Sequence, residues 1–593
     1  MKQFLISCIL FSCMNACSYG QDRIFSQSLS AGGDPAIRKV NMTLAAIQNL
    51  YVDTVNLNKL ADDAIIGLLD KLDPHSDYMT ADEVKELSEP LQGNFDGIGI
   101  QFNIQLTDTL YVIEVIHGGP SEKVGLLPGD KIIYVDDTLI AGVKMKNTEV
   151  MGRLKGPKGT VVRVRVLRNG VQGLLNFTII RDRIPVYSIS SAYMVDKKTG
   201  YIKIDRFART TDQEFEEAMR KLRAQGMDNL IIDLQENGGG YLDAAIDLSN
   251  EFLKPGSLIV YTEGAHQRRR EEKSNNSGSF KNGKLVILVN ENTASASEIF
   301  SGAIQDWDRG VIVGRRTFGK GLVQAPIPFP DGSMMRLTTA RYYTPTGRSI
   351  QKPYTKGDQA SYAKDLIDRY NRGEMLSADS IHFPDSLKYS TLTKNRIVYG
   401  GGGIMPDYFV PFDTTGAVYI AGSTPLYREI SNKGILIKYV RTVIEENRKN
   451  YLAQYPAFDS FKKNFTVSDN LLNGLLDTYR KEKAEEQKEK ASQPAKMQTL
   501  PDGQKKRVIE EDEPEDNTPA PQISEEQLKK DLEKSKPLFL EQIKMLIARE
   551  VYGENEYYQL LNPMLDTYKK AVEIISNDKS YNLLLTQDRK QKK

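Results

Sequence analysis

The sequence is short of cysteine, histidine and tryptophan: its 593 residues include three cysteines, four histidines and one tryptophan. All three cysteines, Cys8, Cys13 and Cys17, precede residue 18, so the rest of the chain has no thiol for a disulfide, a thiolate nucleophile or a zinc site. After the first 20 residues no apolar run is long enough to cross a bilayer. With 79 basic and 78 acidic residues, the chain has no overall field that favours nucleic acid.

Residues 1–20 have the pattern of an export signal. An early lysine precedes an apolar run from Phe4 to Met14, and small residues follow at Ser18 and Gly20. We predict cleavage after Gly20 and a location in the periplasm or cell envelope. The alternative is lipidation of Cys17, which would attach the protein to a membrane, but the three residues before it fit a lipoprotein signal poorly.

Apolar patterning divides the rest of the chain into regions. Continuous apolar runs at 230–234, 285–289 and 311–314 are typical of strands buried on both faces, and helical patterns separate them. They predict a multidomain α/β protein. The full division is a helical region at 21–92, short strands at 93–181, the α/β core at 182–411, a helical region at 412–480, a charged segment typical of a disordered linker at 481–522, and a small helical unit at 523–593.

The region 93–181 has short predicted elements in a characteristic order. GIGI at 97–100 precedes GGPSEKVGLLPGDKIIYVDD at 118–137, which predicts a short helix, a turn and a strand, and a helix follows near 148–154. This order resembles that of a PDZ domain. In PDZ domains an extended peptide adds to a sheet edge, and loop amides hold its terminal carboxylate. We therefore expect the C-terminus of a substrate to bind at Gly97, Ile98, Gly99 and Ile100. An ordinary β-rich domain is the alternative.

Two segments of the core carry the residues of a hydrolase site, TASASEIF at 293–300 and TFGKGLVQ at 317–324. Ser295 comes just before a helical run that Ser297 or Thr293 could cap, and Lys320 enters a strand. A serine hydroxyl needs a base to take its proton, and a lysine is a base only while neutral. Free lysine has a pKa of about 10.4 and the role needs about 7 to 8, so burial must destabilise the ammonium by about 4 kcal/mol.

Backbone amides near Ser295 are candidates for binding an oxyanion. The amide of Ala296 lies at the helix start, and a second donor is expected from Gly239 or Gly240 of NGGG at 237–240, which directly follows a predicted strand. Gln324 is four residues after Lys320, so in a strand both side chains share one face and the amide could orient the amine.

Other polar residues are assigned structural roles. Asp306 lies eleven residues after Ser295, roughly 16 Å along a helix, so we expect it to support the site without touching the reacting atoms. Of the histidines that could serve as a base instead, His75 lies in a turn, LDPHSDYMT at 72–80, and His117, His266 and His382 are assigned to surface or capping positions. The glycine run at 400–407 lacks the lysine and hydroxyl of a phosphate-binding loop and is interpreted as a connection.

Four motifs carry a family resemblance: TASASEIF, TFGKGLVQ, DLQENGGG at 233–240 and RYYTPTGRSIQ at 341–351. Together with the PDZ-like region that precedes them, they resemble the carboxyl-terminal processing proteases, also called tail-specific proteases. The resemblance spans about Tyr51 to Pro411. It implies a crotonase-like α/β core and a serine endopeptidase without metal or cofactor, which engages polypeptide substrates by their C-termini. It assigns the nucleophile, base and orienting amide to Ser295, Lys320 and Gln324. Glu236 and Gly238 depart from related loops and leave the second oxyanion donor open.

Two other classes of function remain as alternatives. A peptide-binding adaptor with an inactive core would not need the intact Ser295 and Lys320. A crotonase-type enzyme acting on a thioester would share the core but would leave the PDZ-like region and the serine–lysine pair unexplained. The sequence leaves the oligomeric state, the physiological substrate and any activating partner open.

Overall fold

The computed structural model describes residues 34–103, 108–116, 118–168, 170–276, 278–412, 424–492, 497–499, 505–507 and 524–586. The predicted leader with its three cysteines, and His117, lie outside the described residues. The chain divides into two compact units. Described residues 34–82, 324–338 and 354–363 form the first unit, and the other described residues form the second.

The first unit begins with two helices, Pro35–Leu50 and Leu57–Leu69. Asp34 caps the first helix by accepting from the amide of Ala36 at 2.8 Å, and proline at the first helical position suits this start. The predicted interruption at 72–80 contains a turn and the short strand Asp77–Met79, which pairs antiparallel with residues 334–336. The chain passes between the units within the elements Ala81–Gln92, Leu322–Pro328, Met334–Tyr343 and Gln359–Asn371.

A six-stranded sheet forms the centre of the second unit. The first pair of strands is antiparallel and the later pairs are parallel. Every residue of the three apolar runs predicted as strands is buried, so that prediction is confirmed. The strand order is Ile189–Met194, Thr199–Ile204, Asn229–Asp233, Leu285–Val289, Val311–Gly314 and Tyr408–Phe409.

Helices cover both faces of this sheet, which explains why its strands are apolar throughout. One face, with Ile202, Ile232 and Ile287, packs in one cluster with the helices Thr211–Ala224, Leu242–Asn250 and Ala296–Asp306. The other face, with Tyr201, Ile231 and Val286, packs in a second cluster with the helices Asp566–Ser576 and Asp578–Leu584.

Residues 94–185 of the second unit form a separate small β structure. Its sheet has the order Ile100–Asn103, Leu110–Val115, Lys131–Val135, Val161–Leu167 and Leu174–Ile180, with Thr138–Leu139 paired to the third strand. Asn94–Gly97 pairs antiparallel with Asp182–Pro185 where the chain enters and leaves. The helices are Pro120–Lys123 and Asn147–Leu154, as the sequence predicts.

Short elements complete the core region of the second unit. Leu258–Glu263 pairs with Arg270–Lys273 and with residues 341–343, and Lys388–Ser390 pairs with Ile397–Tyr399. Single 3₁₀ turns lie at Ala378–Ser380 and Asp385–Leu387.

The C-terminal third differs from the division drawn from the sequence. The helix Asp469–Ser492 continues into the segment predicted as a disordered linker, and Met497–Thr499 pairs with Lys505–Arg507. The described residues 524–586 do not form a separate helical unit. The helix Glu525–Tyr552 shares an apolar cluster with the helices Pro425–Asn432, Ile435–Gln454, Phe458–Asn464 and Asp469–Ser492, whereas Glu554–Leu561 lies beside the first strand of the central sheet. A charged composition is shared by exposed helix ends and disordered chain, so it could not separate the two.

Candidate active site

Ser295 occupies a strained turn at the start of the buried helix Ala296–Asp306. Its φ of 56° and ψ of −117° lie in a region that residues with a side chain rarely adopt. The residues predicted as caps are used elsewhere: Ser297 Oγ donates to the carbonyl of Asn237 at 3.0 Å, and Thr293 Oγ1 donates to the carbonyl of Leu234 at 2.8 Å. The capping expectation for both is therefore wrong, and their hydroxyls hold the serine turn against neighbouring strand ends.

Glu298, three residues after the serine, replaces the predicted caps. Its carboxylate oxygen Oε2 accepts from the amides of Ser295 at 2.9 Å and Lys320 at 2.8 Å. Its Oε1 accepts from the amide of Gly319 at 2.8 Å and from the hydroxyl of Thr317. The side chain is completely buried. One buried carboxylate therefore joins the backbone of the serine turn to the backbone of the lysine turn. The sequence analysis missed this residue, although a glutamate at this spacing is the signal of a capping box.

Burial raises the pKa of Glu298 to about 7, against the lowering effect of the hydrogen bonds from Thr317 and from the amides of Lys320, Gly319 and Ser295. Removing a carboxylate from water disfavours its charged form, whereas donated hydrogen bonds favour it. The charge of the group that joins the two turns thus changes near neutral pH.

Several hydrogen bonds hold the turn around Lys320. The amide of Phe318 donates to the carbonyl of Thr293 at 3.0 Å, and the amide of Lys352 donates to the carbonyl of Gly319 at 2.9 Å. The Tyr342 hydroxyl lies 3.2 Å from the carbonyl oxygen of Ser295 and also donates to that of Lys320. Lys320 and Ser295 are both half-buried. Hydrogen bonds therefore hold the main chains of both turns.

The buried guanidinium of Arg369 forms hydrogen bonds with the backbone just before Lys320. Arg369, 1 % exposed, donates to the carbonyl of Arg316 at 2.7 Å and to that of Thr317 at 3.1 Å. Burial, with a contribution from Arg316, lowers the pKa of Arg369 to about 10. Both arginines pair with Glu374, at 2.5 Å from Arg316 and 3.3 Å from Arg369.

The glycine-rich segment 400–407 also contacts the lysine turn. Thr317 donates its amide to the carbonyl of Ile404 at 3.1 Å, and Ile404 returns its amide to the Thr317 hydroxyl at 2.6 Å. The segment is a connection, as the sequence predicts, and in addition it fixes the residue that bonds Glu298.

Gly239 lies against the serine turn. A Cβ atom on it would lie 2.8 Å from the Cβ of Ser295, and its φ is +105°, so only glycine fits. Its amide donates to Asn237 Oδ1 at 2.9 Å. The Gly239 N–H is thus already engaged, which corrects the expectation that it donates to an oxyanion and leaves Gly240 of the two expected glycines. The amides of Gly240 and Ala296 donate no hydrogen bond to another described residue.

Asp306 lies at the far end of the serine helix and contacts the loop that follows strand 334–343. Its carboxylate pairs with Arg348 at 2.7 Å, both side chains being completely buried. It also accepts from the amide of Thr346 at 3.0 Å and from its hydroxyl at 2.8 Å. Gln324 belongs to the first unit, where its Nε2 lies 3.5 Å from Thr338 Oγ1.

The loop 97–100 joins two strand ends of the small β structure. The carbonyl of Ile98 accepts from the amide of Ser121 at 3.1 Å and from its hydroxyl at 2.6 Å, and the carbonyl of Gly99 accepts from the amide of Ile116 at 3.0 Å. Ile98 packs in one cluster with Val150 of the helix Asn147–Leu154. Hydrogen bonds therefore tie the loop to the segment 116–121, and Ile98 shares its apolar cluster with the helix Asn147–Leu154.

Sequence comparison identifies the core. The profile of Peptidase family S41 matches residues 198–361. Over 368 residues the chain is 33 % identical to the carboxy-terminal processing protease CtpA of Bacillus subtilis (strain 168), an alignment that covers 61 % of this chain and 77 % of that protein. The chain belongs to the carboxy-terminal processing proteases. It is also 36 % identical over 310 residues to the carboxy-terminal-processing protease of Bartonella bacilliformis, covering 51 % of this chain and 70 % of the relative.

Other regions of this processing protease match further profiles. A PDZ domain profile matches residues 97–179, the N-terminal domain of the activating protease CtpB matches 15–83, and a family of unknown function matches 426–499. Among solved structures, the photosystem II D1 C-terminal processing protease is similar with 27 % identity and a TM-score of 0.30, over 53 % of this chain and 84 % of that one. The S41 and PDZ profiles and the relatives of known name show a serine-type C-terminal processing protease with an S41 core and a PDZ domain, which binds peptide substrates.

Within the described residues, no group of three or more histidine, cysteine or acidic side chains is placed to hold a metal ion. Of the helices that the structure describes, none combines the length and the apolar character needed to cross a membrane. His266 and His382 are exposed.

Proposed function

We propose that this protease cleaves polypeptides through an acyl-enzyme on Ser295, with Lys320 as the general base and Gln324 as the amide that orients the lysine amine. The observation that supports the pair is the shared hydrogen-bond acceptor Glu298, which bonds the backbone amides of Ser295 and Lys320 at 2.9 and 2.8 Å. A fixed nucleophile and base avoid the entropic cost of assembling them in each turnover.

In the proposed reaction, neutral Lys320 takes the proton of Ser295 Oγ while the oxygen attacks the scissile carbonyl carbon. The oxyanion that forms accepts hydrogen bonds from the amides of Ala296 and Gly240. As the tetrahedral intermediate collapses, the C–N bond breaks and the lysine ammonium returns the proton to the leaving amine. Water then attacks the ester with the same lysine as base, and Ser295 is regenerated.

We also propose that the substrate's C-terminal carboxylate binds the loop of Gly97, Ile98, Gly99 and Ile100, with the last side chains lying between strand Ile100–Asn103 and helix Asn147–Leu154. Asp306 is proposed to stabilise the site through Arg348 rather than to take part in chemistry. The regions 93–181 and 182–411 would be the peptide-binding and catalytic domains, the latter completed by residues 554–585.

Export remains a proposal that rests on residues 1–20. N-terminal sequencing of the mature protein should begin at Gln21, whereas a lipid on Cys17 would block the N-terminus and place the protein in the membrane fraction. The oligomeric state is a question for light scattering.

The test of the proposed site uses an unfolded polypeptide substrate with an apolar C-terminal tail. Ser295→Ala and Lys320→Ala should each abolish measurable cleavage while the melting temperature changes little. The matched controls are Ser576→Ala and Lys254→Ala, which change exposed residues outside both site segments and should cleave at the wild-type rate. Full activity in either site variant would refute the assignment.

A further inference from the structure

Asn237 lies in the glycine-rich loop that follows the strand Asn229–Asp233, and it is completely buried. Its side-chain oxygen Oδ1 accepts from the amide of Gly239 at 2.9 Å, and its Nδ2 donates to the carbonyl of Ile204 at 2.8 Å. The first bond is the local bond, to the backbone two residues on, that asparagine forms in turns. The second bond ties the loop to the end of the neighbouring strand Thr199–Ile204. This side chain has no role in the reaction steps proposed above.

The main chain of Asn237 joins the same loop to the serine helix. Its carbonyl accepts from the amide of Ala294 at 3.0 Å and from the hydroxyl of Ser297 at 3.0 Å. A Cβ atom on Gly239 would lie 3.0 Å from the backbone nitrogen of Ala296, which is one proposed oxyanion donor. The bonds of Asn237 therefore hold the glycines of the loop beside the start of that helix.

The peptide group between Gly239 and Gly240 has a defined direction. The carbonyl of Gly239 accepts from the amide of Phe207 at 2.9 Å. In a trans peptide the carbonyl and the N–H that follows it point in opposite directions, so the N–H of Gly240 points away from Phe207. Gly240 is exposed, and its N–H donates no hydrogen bond to another described residue. This N–H can therefore meet an oxyanion, whereas the N–H of Gly239 is bonded to Asn237.

We propose that Asn237 is a positioning residue, which directs the N–H of Gly240 at the oxyanion by holding the N–H of Gly239. The proposal rests on the acyl-enzyme mechanism and on the Gly240 donor given above. Gly239 has a φ of +105° and Gly240 a φ of +146°, and glycine has many other conformations within reach. Without the bond to Asn237 Oδ1 the peptide between them could turn. Its N–H would then no longer be oriented before the negative charge develops, which an oxyanion donor requires.

The test compares kcat and KM of variants at position 237 on a peptide substrate. Asn237→Ala removes the acceptor for Gly239 and should lower kcat by about a hundredfold with KM little changed, as loss of an oxyanion donor does. Asn237→Asp keeps an acceptor of the same reach and Asn237→Ser keeps a weaker one, so both kcat values should lie between those of Asn237→Ala and wild type.

The matched control is Asn250→Ala. Asn250 is 5 % exposed, and its Oδ1 accepts from the amide of Asn275 at 2.9 Å. This variant removes the same kind of bond from a buried asparagine outside the two site segments, so kcat should stay at the wild-type value. Melting temperatures of all variants are measured alongside.

A peptide boronate separates a misdirected amide from a loss of folded protein. Its tetrahedral adduct with Ser295 places an oxygen where the oxyanion forms, so its affinity should fall in parallel with kcat/KM across the Asn237 variants. A loss of folded protein would instead lower the amount of adduct at saturation and leave the affinity unchanged.

Three results would overturn the proposal: a wild-type kcat in Asn237→Ala, an equal loss of kcat in Asn250→Ala, or an unchanged boronate affinity in Asn237→Ala. Retained cleavage in Ser295→Ala would instead refute the acyl-enzyme itself, so the two failures are distinct. Should Asn237→Ala not fold, Asn237→Ser tests the same bond with an expected loss in kcat of about tenfold, and a wild-type kcat there would equally overturn the proposal.

Discussion

The backbone amides of Ser295 and Lys320 donate to the same atom, Oε2 of Glu298, at 2.9 and 2.8 Å. The two residues are 25 positions apart in the sequence and belong to different turns. Because Oε1 of the same side chain accepts from Gly319 and Thr317, the carboxylate has four donors and no exposed surface. The geometry of the proposed pair thus depends on a group that does not itself react.

Glu298→Gln is expected to lower both stability and activity strongly, although glutamine and glutamate have the same shape. An NH₂ group in place of either oxygen would face two donors, which leaves buried groups unsatisfied at about 1–3 kcal/mol each. We predict a destabilisation of about 2–4 kcal/mol and a kcat lowered by roughly a hundredfold. Denaturant unfolding and peptide cleavage measure the two effects. Glu526→Gln, at an exposed position, is the control, and equal behaviour of both variants would contradict the account.

The pKa of Glu298, raised by burial to about 7, predicts a pH dependence of stability. The folded state holds this proton more tightly than the unfolded state, whose glutamate titrates near 4.5. The stabilisation is therefore complete below about pH 4.5 and is lost as the pH rises through 7, by roughly 3 kcal/mol in total. As the pH rises across this window, the unfolding free energy of wild type should fall towards that of Glu298→Gln, whose side chain does not titrate. A pH-independent difference would show that Glu298 has an ordinary pKa.

Gly239→Ala should disrupt the serine turn, which contains Ser295. The new Cβ would lie 2.8 Å from the Cβ of Ser295 at a φ of +105°, so a clash and backbone strain act together. We expect a loss of stability of about 1–3 kcal/mol and a larger loss of activity. Gly238→Ala is the matched control for stability, because no atom lies within 4 Å of its Cβ position. If both alanines are tolerated equally, Gly239 does not press on Ser295.

Asp306→Asn breaks a completely buried ion pair with Arg348. Removing one partner leaves the other charge uncompensated, so we predict a destabilisation of about 3–5 kcal/mol. The double variant Asp306→Asn with Arg348→Met should recover part of this loss, as chemical denaturation would show. Additive losses would mean that the two side chains do not interact.

The sequence predicts the central sheet better than it predicts the contacts around the proposed nucleophile and base. The runs at 230–234, 285–289 and 311–314 are strands because parallel strands covered on both faces must be apolar throughout. Glu298 was missed because buried carboxylates are rare and are recognised only through their partners. The residue type of Ser295 gives no sign of its positive φ. The packing of residues 566–584 against the central sheet depends on contacts between residues distant in sequence.

Lys320 is expected to activate Ser295 as a nucleophile, and covalent labelling by a fluorophosphonate measures that activation. Intact-mass and peptide mass spectrometry of the labelled full-length protein should place a single adduct on Ser295. In Lys320→Ala the labelling rate should fall by about a hundredfold or more, the range for loss of a general base. An unchanged labelling rate in that variant, or an adduct on another residue, would contradict the account.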